Sequence, residues 1–131
     1  MKISTKGRYA LRMMIDLCMH CPGGFAPLKE ISSRQAVSKK YLEQIVPSLV
    51  RAGLLKTVRG NQGGYSLSRD PGLITVLDVL SAAEGVAEPN TEEEFTGFIW
   101  EELDRLEREY LSSITVEDIV SRNGILPEYS I

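Results

Sequence analysis

Few side chains in this sequence are equipped for covalent or metal chemistry. The two cysteines and the one histidine fall together, in Cys18-Met-His20-Cys21. Zinc wants four ligands, and no second Cys/His pair exists to complete a set. A thioredoxin-like pair would follow a strand, whereas this one closes an expected helix. A c-type haem site would place histidine after Cys21, where the chain has Pro22. The thiols therefore read as structural or incidental, with a redox-sensitive thiol as the alternative. The carboxylates cluster on exposed first turns of expected helices rather than pairing in apolar surroundings, so general acid–base catalysis has little to work with. No catalytic residue, metal ligand or cofactor is expected, and the chain does not read as an enzyme.

The other chemistry on offer is phosphate binding. Residues 59–67 read RGNQGGYSL. A nucleotide loop would set its glycines after a strand and open a helix with Lys-Ser/Thr. Here the loop opens onto Tyr65-Ser-Leu-Ser68, which reads as strand, and no lysine follows. The stretch KKYLEQIVPSLVRAG just upstream suggests a different phosphate. Its Leu42, Ile45, Val46, Leu49 and Val50 recur at i, i+3, i+4, i+7 and i+8, which predicts an amphipathic helix. The polar side of that helix carries Ser38, Lys39, Lys40, Tyr41, Glu43 and Gln44. Lysine and serine bind phosphates, glutamate accepts from cytosine, and glutamine pairs with adenine.

Charge points the same way. Residues 1–70 hold 12 Lys+Arg against 4 Asp+Glu, a balance of +8; residues 71–131 hold 3 against 14, a balance of -11. A basic half suits a polyanion, and the acidic half must do something else. The length, 131 residues, suits one domain or one domain plus an appendage. The basic start MKISTKGRYALRMM lacks the apolar stretch and cleavage site of a signal peptide. No run approaches the roughly 18 apolar residues of a membrane span. Two cysteines without a disulfide framework suggest a reducing, cytoplasmic setting.

The elements that must position these residues can be read in order. Ser4 or Thr5 caps a first helix through Ala10, Met13, Met14, Leu17 and Cys18, which Pro22-Gly23-Gly24 stops. Pro27 suits the first turn of a short second helix. Ser38 caps the third, which Pro47 should kink or push toward a later start and Gly53 should end. Leu54–Arg59 and Tyr65–Ser68 form a hairpin, with Asp70-Pro71-Gly72 closing the unit. Three capping boxes are then expected, at Thr75–Asp78, Thr91–Glu94 and Thr115–Asp118. The second should open a long helix to about Leu111, after a linker over 85–90. Ile99, Leu103, Leu106 and Tyr110 are spaced 4, 3 and 4, a short coiled-coil seam that Phe95, Phe98 and Trp100 widen. That stripe exceeds what one small domain covers, and a two-fold dimer would bury it.

Helix, helix, helix, hairpin is the order of a winged helix-turn-helix. The expected fold is mainly α with a small β-hairpin. A DNA-binding winged helix-turn-helix domain spans 1–72, and a helical dimerisation or effector region with a C-terminal tail spans 73–131. Arg59, Asn61 and Gln62 would sit at the wing tip, where an arginine can enter a minor groove.

These segments resemble a known family. MKISTKGRYALRMM, PLKEIS, YLEQIVPSLVRAGLL, VRGNQGGYSLSRDP, ITVLDVLSAAEG and ITVEDIV together are similar to the Rrf-two (Rrf2) family of bacterial winged-helix transcription regulators. The resemblance implies a homodimer on a palindromic double-stranded operator, with base reading near Lys40, Tyr41, Glu43 and Gln44 and minor-groove contact by Arg59. Thr5, Lys6, Arg8, Lys29 and Gly63 complete the expected DNA contacts. Iron–sulfur members carry three cysteines and often a histidine between the linker and the long helix. This chain has EGVAEPNTEEEFTGFIW there, with Glu94 and Gly97 about where the last cysteine and the histidine would fall. It looks most like the cluster-free branch, the cysteine-metabolism repressors. That branch implies cysteine synthase as a partner, to which the tail Tyr129-Ser130-Ile131 would offer an isoleucine carboxylate. An iron–sulfur or redox-sensing regulator of the same family and a winged-helix protein-interaction module remain the alternatives.

Overall fold

The computed structural model describes residues 2–60, 63–85 and 93–123. Six α-helices, one hairpin and a short 3-10 turn at Pro71–Leu73 are seen among them: α1 (Thr5–His20), α2 (Leu28–Gln35), α3 (Lys39–Arg51), β1 (Leu55–Val58), β2 (Gly64–Leu67), α4 (Val76–Glu84), α5 (Gly97–Ser112) and α6 (Val116–Arg122). The fold is mainly helical with an antiparallel hairpin, β1 against β2, as expected.

Most boundaries have local causes. Ser4 caps α1, accepting from the Gly7 amide, and Ser38 caps α3, accepting from the Tyr41 amide at 3.0 Å. At the end of α3 the Gly53 amide donates to the Val50 carbonyl and the Leu54 amide to the Leu49 carbonyl. That pairing needs a left-handed residue, and Gly53 supplies it at φ +76°. Pro27 stands one residue before α2 rather than in its first turn, and its carbonyl accepts from Glu30 and Ile31. Pro47 does not delay α3, which runs unbroken from Lys39. The proline lies on the exposed side, where the Glu43 carbonyl it leaves without a donor can turn to water.

The capping boxes divide. Those at Thr75–Asp78 and Thr115–Asp118 form with both reciprocal hydrogen bonds. The two caps lie side by side: the Val76 amide donates to the Ile114 carbonyl at 2.8 Å and the Val116 amide to the Ile74 carbonyl at 2.9 Å. The long helix, however, starts at Gly97, with no acidic residue in its first turn. Thr91 and most of the 85–90 linker lie outside the described residues. Glu93, expected inside the helix, instead accepts from the Thr96 hydroxyl and, at 3.2 Å, from the Trp100 indole. Those side-chain bonds hold a turn where a helix was expected.

One core joins the elements. Met13, Met14 and Leu17 of α1 meet Ile31, Leu42, Ile45 and Leu49, with Leu54 and Leu55 beneath the hairpin. Ile74, Val79, Ala83 and Val116 belong to the same cluster, so the core crosses residue 72. A backbone bridge from Ala26 to Tyr65 fastens the hairpin to the segment before α2. Gly64 sits where any Cβ would collide with the Ala26 carbonyl.

The start of α1 is tied to the end of α4. Glu84 accepts from the Ser4 amide at 3.0 Å and the Ser4 hydroxyl at 2.6 Å, and a Cβ at Gly7 would collide with its Oε1 and push the carboxylate aside. Burial pushes the Glu84 carboxyl up, but hydrogen bonds from Ser4 and Gly7, with Lys6 nearby, outweigh it and hold the carboxyl below its ordinary value. A lowered carboxylate stabilises the fold above its unfolded-state pKa and loses that contribution as pH falls through the folded-state value. Glu84→Gln should therefore melt below wild type at pH 7, and the gap should close on acidification below that folded-state value. A gap that persists there would contradict the contact.

A candidate nucleic-acid interface

The period of α3 separates two faces. Leu42, Ile45, Val46 and Leu49 are buried, while Lys39, Lys40, Glu43 and Gln44 are exposed. Arg59 is also exposed, immediately after β1. Gly60 follows at φ +134°, a conformation that side chains resist. Asn61 and Gln62 lie outside the described residues. A groove of about 570 Å3 runs between α3, the start of α2 and the hairpin, lined by Lys29, Lys39, Glu43, Gly60 and Gly63 among others. Five expected contacts from three elements thus meet or border one concavity: Lys29, Lys39, Glu43, Gly63 and the neighbouring Arg59.

The remaining expected contacts are placed differently. Thr5 and Arg8 are exposed at the start of α1, beside a second hollow that Tyr9 and Arg12 also line. Lys6 lies near Glu84. Tyr41 is half-buried, its ring edge-on to Tyr9 at 5.6 Å and 84°. It is therefore at least partly a packing residue, linking α1 to α3. The Ser38 hydroxyl is engaged as a cap, leaving only its own proton to give.

Two features were not read from the sequence. Arg12 lies 4.6 Å over the Tyr9 ring and donates to the Gln35 side chain and carbonyl at 3.1 and 2.7 Å. It adds a cation beside Arg8, which helical spacing alone would have flagged. Asp16 is fully buried, and Arg34 grips it through Nε and a terminal nitrogen at 3.1 and 2.8 Å while Gln35 donates at 2.7 Å. This lock holds α1 against α2, and so fixes the base on which α3 stands.

On α5 the expected seam is uncovered in the single chain. Ile99, Leu103, Leu106 and Tyr110 are 43, 47, 48 and 62 % exposed, and Phe95 and Phe98 more so. Phe98 and Trp100 flank Ile99 at roughly 100° to either side. The polar side is internally paired, Arg105 with Glu102 and Glu109 and Arg108 with Asp104.

An iron–sulfur cluster does not fit the donors present. Fe–S clusters are held by cysteine thiolates, typically four, and the chain has two cysteines, neither of them between α4 and α5. Burial pushes the Cys18 thiol up, as do the Glu117 and Asp70 carboxylates, which works against a thiolate ligand. Among the described residues no three His, Cys, Asp or Glu side chains are grouped to hold a metal ion. No helix among them is long and apolar enough to cross a membrane.

Three helices, a hairpin wing and a cationic groove between them define a winged helix-turn-helix DNA-binding regulator. The comparisons specify it: the model of the Rrf2 family, described as iron-dependent transcriptional regulator, matches residues 3–122, and the chain belongs to that family. The transcriptional regulator CymR of Bacillus subtilis is 41% identical over 125 residues, covering 92% of this chain and 91% of that one. The structure of CymR, titled the global cysteine regulator of B. subtilis, superposes with a TM-score of 0.80 at 40% identity, covering 93% of this chain and 98% of that one. The regulator IscR of Xenorhabdus nematophila is 35% identical over 136 residues, covering 96% and 83%. The structure of T. potens IscR gives a TM-score of 0.81 at 41% identity, covering 94% and 88%. These relatives are regulators of transcription, not enzymes.

Proposed function

We propose that a homodimer of this chain binds a palindromic operator in the cytoplasm and represses genes of cysteine or sulfur metabolism, without an iron–sulfur cluster. The observation that carries the DNA reading is the groove joining Lys29, Lys39 and Glu43 to the wing. In that reading α3 enters the major groove, where Lys40, Glu43 and Gln44 face base edges, and Arg59 enters the flanking minor groove. The uncovered α5 stripe supports a two-fold interface. The sulfur assignment is supported by the likeness to B. subtilis CymR and by the lack of cysteines between α4 and α5. The partner call on Tyr129, Ser130 and Ile131, toward cysteine synthase, lies outside the described residues.

Arg59→Ala tests the wing. Because the side chain is exposed, folding should be unaffected, and operator affinity should fall about tenfold, within the 1–3 kcal/mol of one good arginine contact. Fluorescence anisotropy across a salt series should also give a shallower slope, since fewer counterions are released. Unchanged affinity and slope would remove the wing from the interface.

A further inference from the structure

We propose that the hollow between the end of α1 and the hairpin is a binding site for a small zwitterionic metabolite of amino-acid size. It encloses about 380 Å3 and shares no lining residue with the α3–wing groove. Small-molecule sites run from roughly 300 to 1,000 Å3.

The walls specify the ligand. Lys56 of β1 and Arg69 beyond β2 contribute cations, and Asp70 contributes a carboxylate. One Asp70 oxygen accepts from the Gly72 amide at 2.8 Å, leaving the other available. The Ser66 hydroxyl is buried with no hydrogen-bond partner, in a residue only 6 % exposed. A native fold rarely leaves such a group unsatisfied unless something else meets it. Ser66 pairs in register with Lys56, so their side chains share one face of the hairpin, and both line the hollow. Cys18, Cys21 and Pro22 give it an apolar side.

An inorganic anion would match the two cations and leave the Asp70 carboxylate opposed and the apolar side unfilled. A dicarboxylate would meet repulsion from Asp70. A molecule carrying a carboxylate and an ammonium on one carbon matches each group. Its carboxylate meets Arg69 and Lys56, its ammonium meets Asp70, a polar atom engages Ser66, and its side chain lies along Cys18 and Cys21. Because the hollow joins the wing to the segment leading into α4, a ligand there would fasten the hairpin to α1. It can shift DNA affinity only as far as it prefers one wing position.

Calorimetric titration of the full chain without DNA keeps this test separate from the operator reading. L-serine, L-methionine and L-glutamine serve as zwitterions, with succinate and sulfate as anions. At least one zwitterion should bind, with succinate and sulfate about tenfold weaker or worse. Arg69→Gln and Asp70→Asn should each weaken it about tenfold; Asp70→Asn keeps an oxygen for the Gly72 amide. Ser66→Ala should weaken binding yet leave the ligand-free protein as stable or more so, since an orphaned hydroxyl is removed. In the wild-type chain, saturating zwitterion should slow alkylation of Cys18 and Cys21 by iodoacetamide. Failure of all three zwitterions to bind, equal binding of sulfate, indifference to both charge variants, or unslowed alkylation would each overturn the proposal.

Discussion

Aspartate at both Leu103 and Leu106 is expected to leave a folded monomer whose operator affinity is lower by about 100-fold or more, because two linked half-site contacts become one. Both side chains are about half exposed in the single chain and lie outside its core. The substitutions therefore remove no intrachain packing of consequence, and circular dichroism should be unchanged. In a dimer the same positions would be buried seam residues, where carboxylates facing their own copies are repelled and desolvated. Sedimentation velocity reads the mass and anisotropy the affinity. A double variant that still sediments as a dimer would show that α5 is not the interface. A monomer that binds the operator as tightly as wild type would show that dimerisation does not matter to binding.

Asp16→Ala is expected to be strongly destabilising. The carboxylate is wholly buried and receives Arg34 and Gln35, so its loss strands a guanidinium and an amide against a cavity. Breaking such a pair typically costs 3–5 kcal/mol. Arg34 keeps some access to water, which places the expected loss near the lower end, about 3 kcal/mol. For a chain of this size that corresponds to a melting temperature lower by roughly 10 °C. Asp16→Asn should fall between, since the amide oxygen can still accept but carries no charge. Thermal and urea unfolding would measure both; a loss under about 1 kcal/mol for Asp16→Ala would mean the lock is only decorative.

What could be read from the sequence follows the range of the forces involved. Ser4, Ser38, Gly53, and the boxes at Thr75 and Thr115 act within a few residues, and each is placed as spacing implies. The exposed face of α3 was equally legible, because helical period alone sorts Lys39, Lys40, Glu43 and Gln44 from Leu42 and Ile45. The start of α5 was not legible in this way. The helix expected from Thr91 begins at Gly97, and Glu93 is held in the turn before it by Thr96 and Trp100, contacts that a Thr-x-x-Glu spacing does not report. The Asp16–Arg34 lock and the Ser4–Glu84 tie were hidden for another reason. Their partners lie 18 and 80 residues apart, and an acidic residue on a helix ordinarily belongs to its wet side. The half-burial of Tyr41 against Tyr9 was likewise a tertiary fact, since only the packing of α1 on α3 brings the rings together.

The most direct measurement is selection of duplexes from a random pool by the purified chain, followed by sequencing of the bound fraction. A dimer that places two copies of α3 in successive major grooves should enrich an inverted repeat whose half-sites lie about 10–10.5 base pairs apart, centre to centre, or a multiple of that spacing. Enrichment of a lone half-site without symmetry, or none at all even at low salt, would contradict a homodimeric operator-binding regulator.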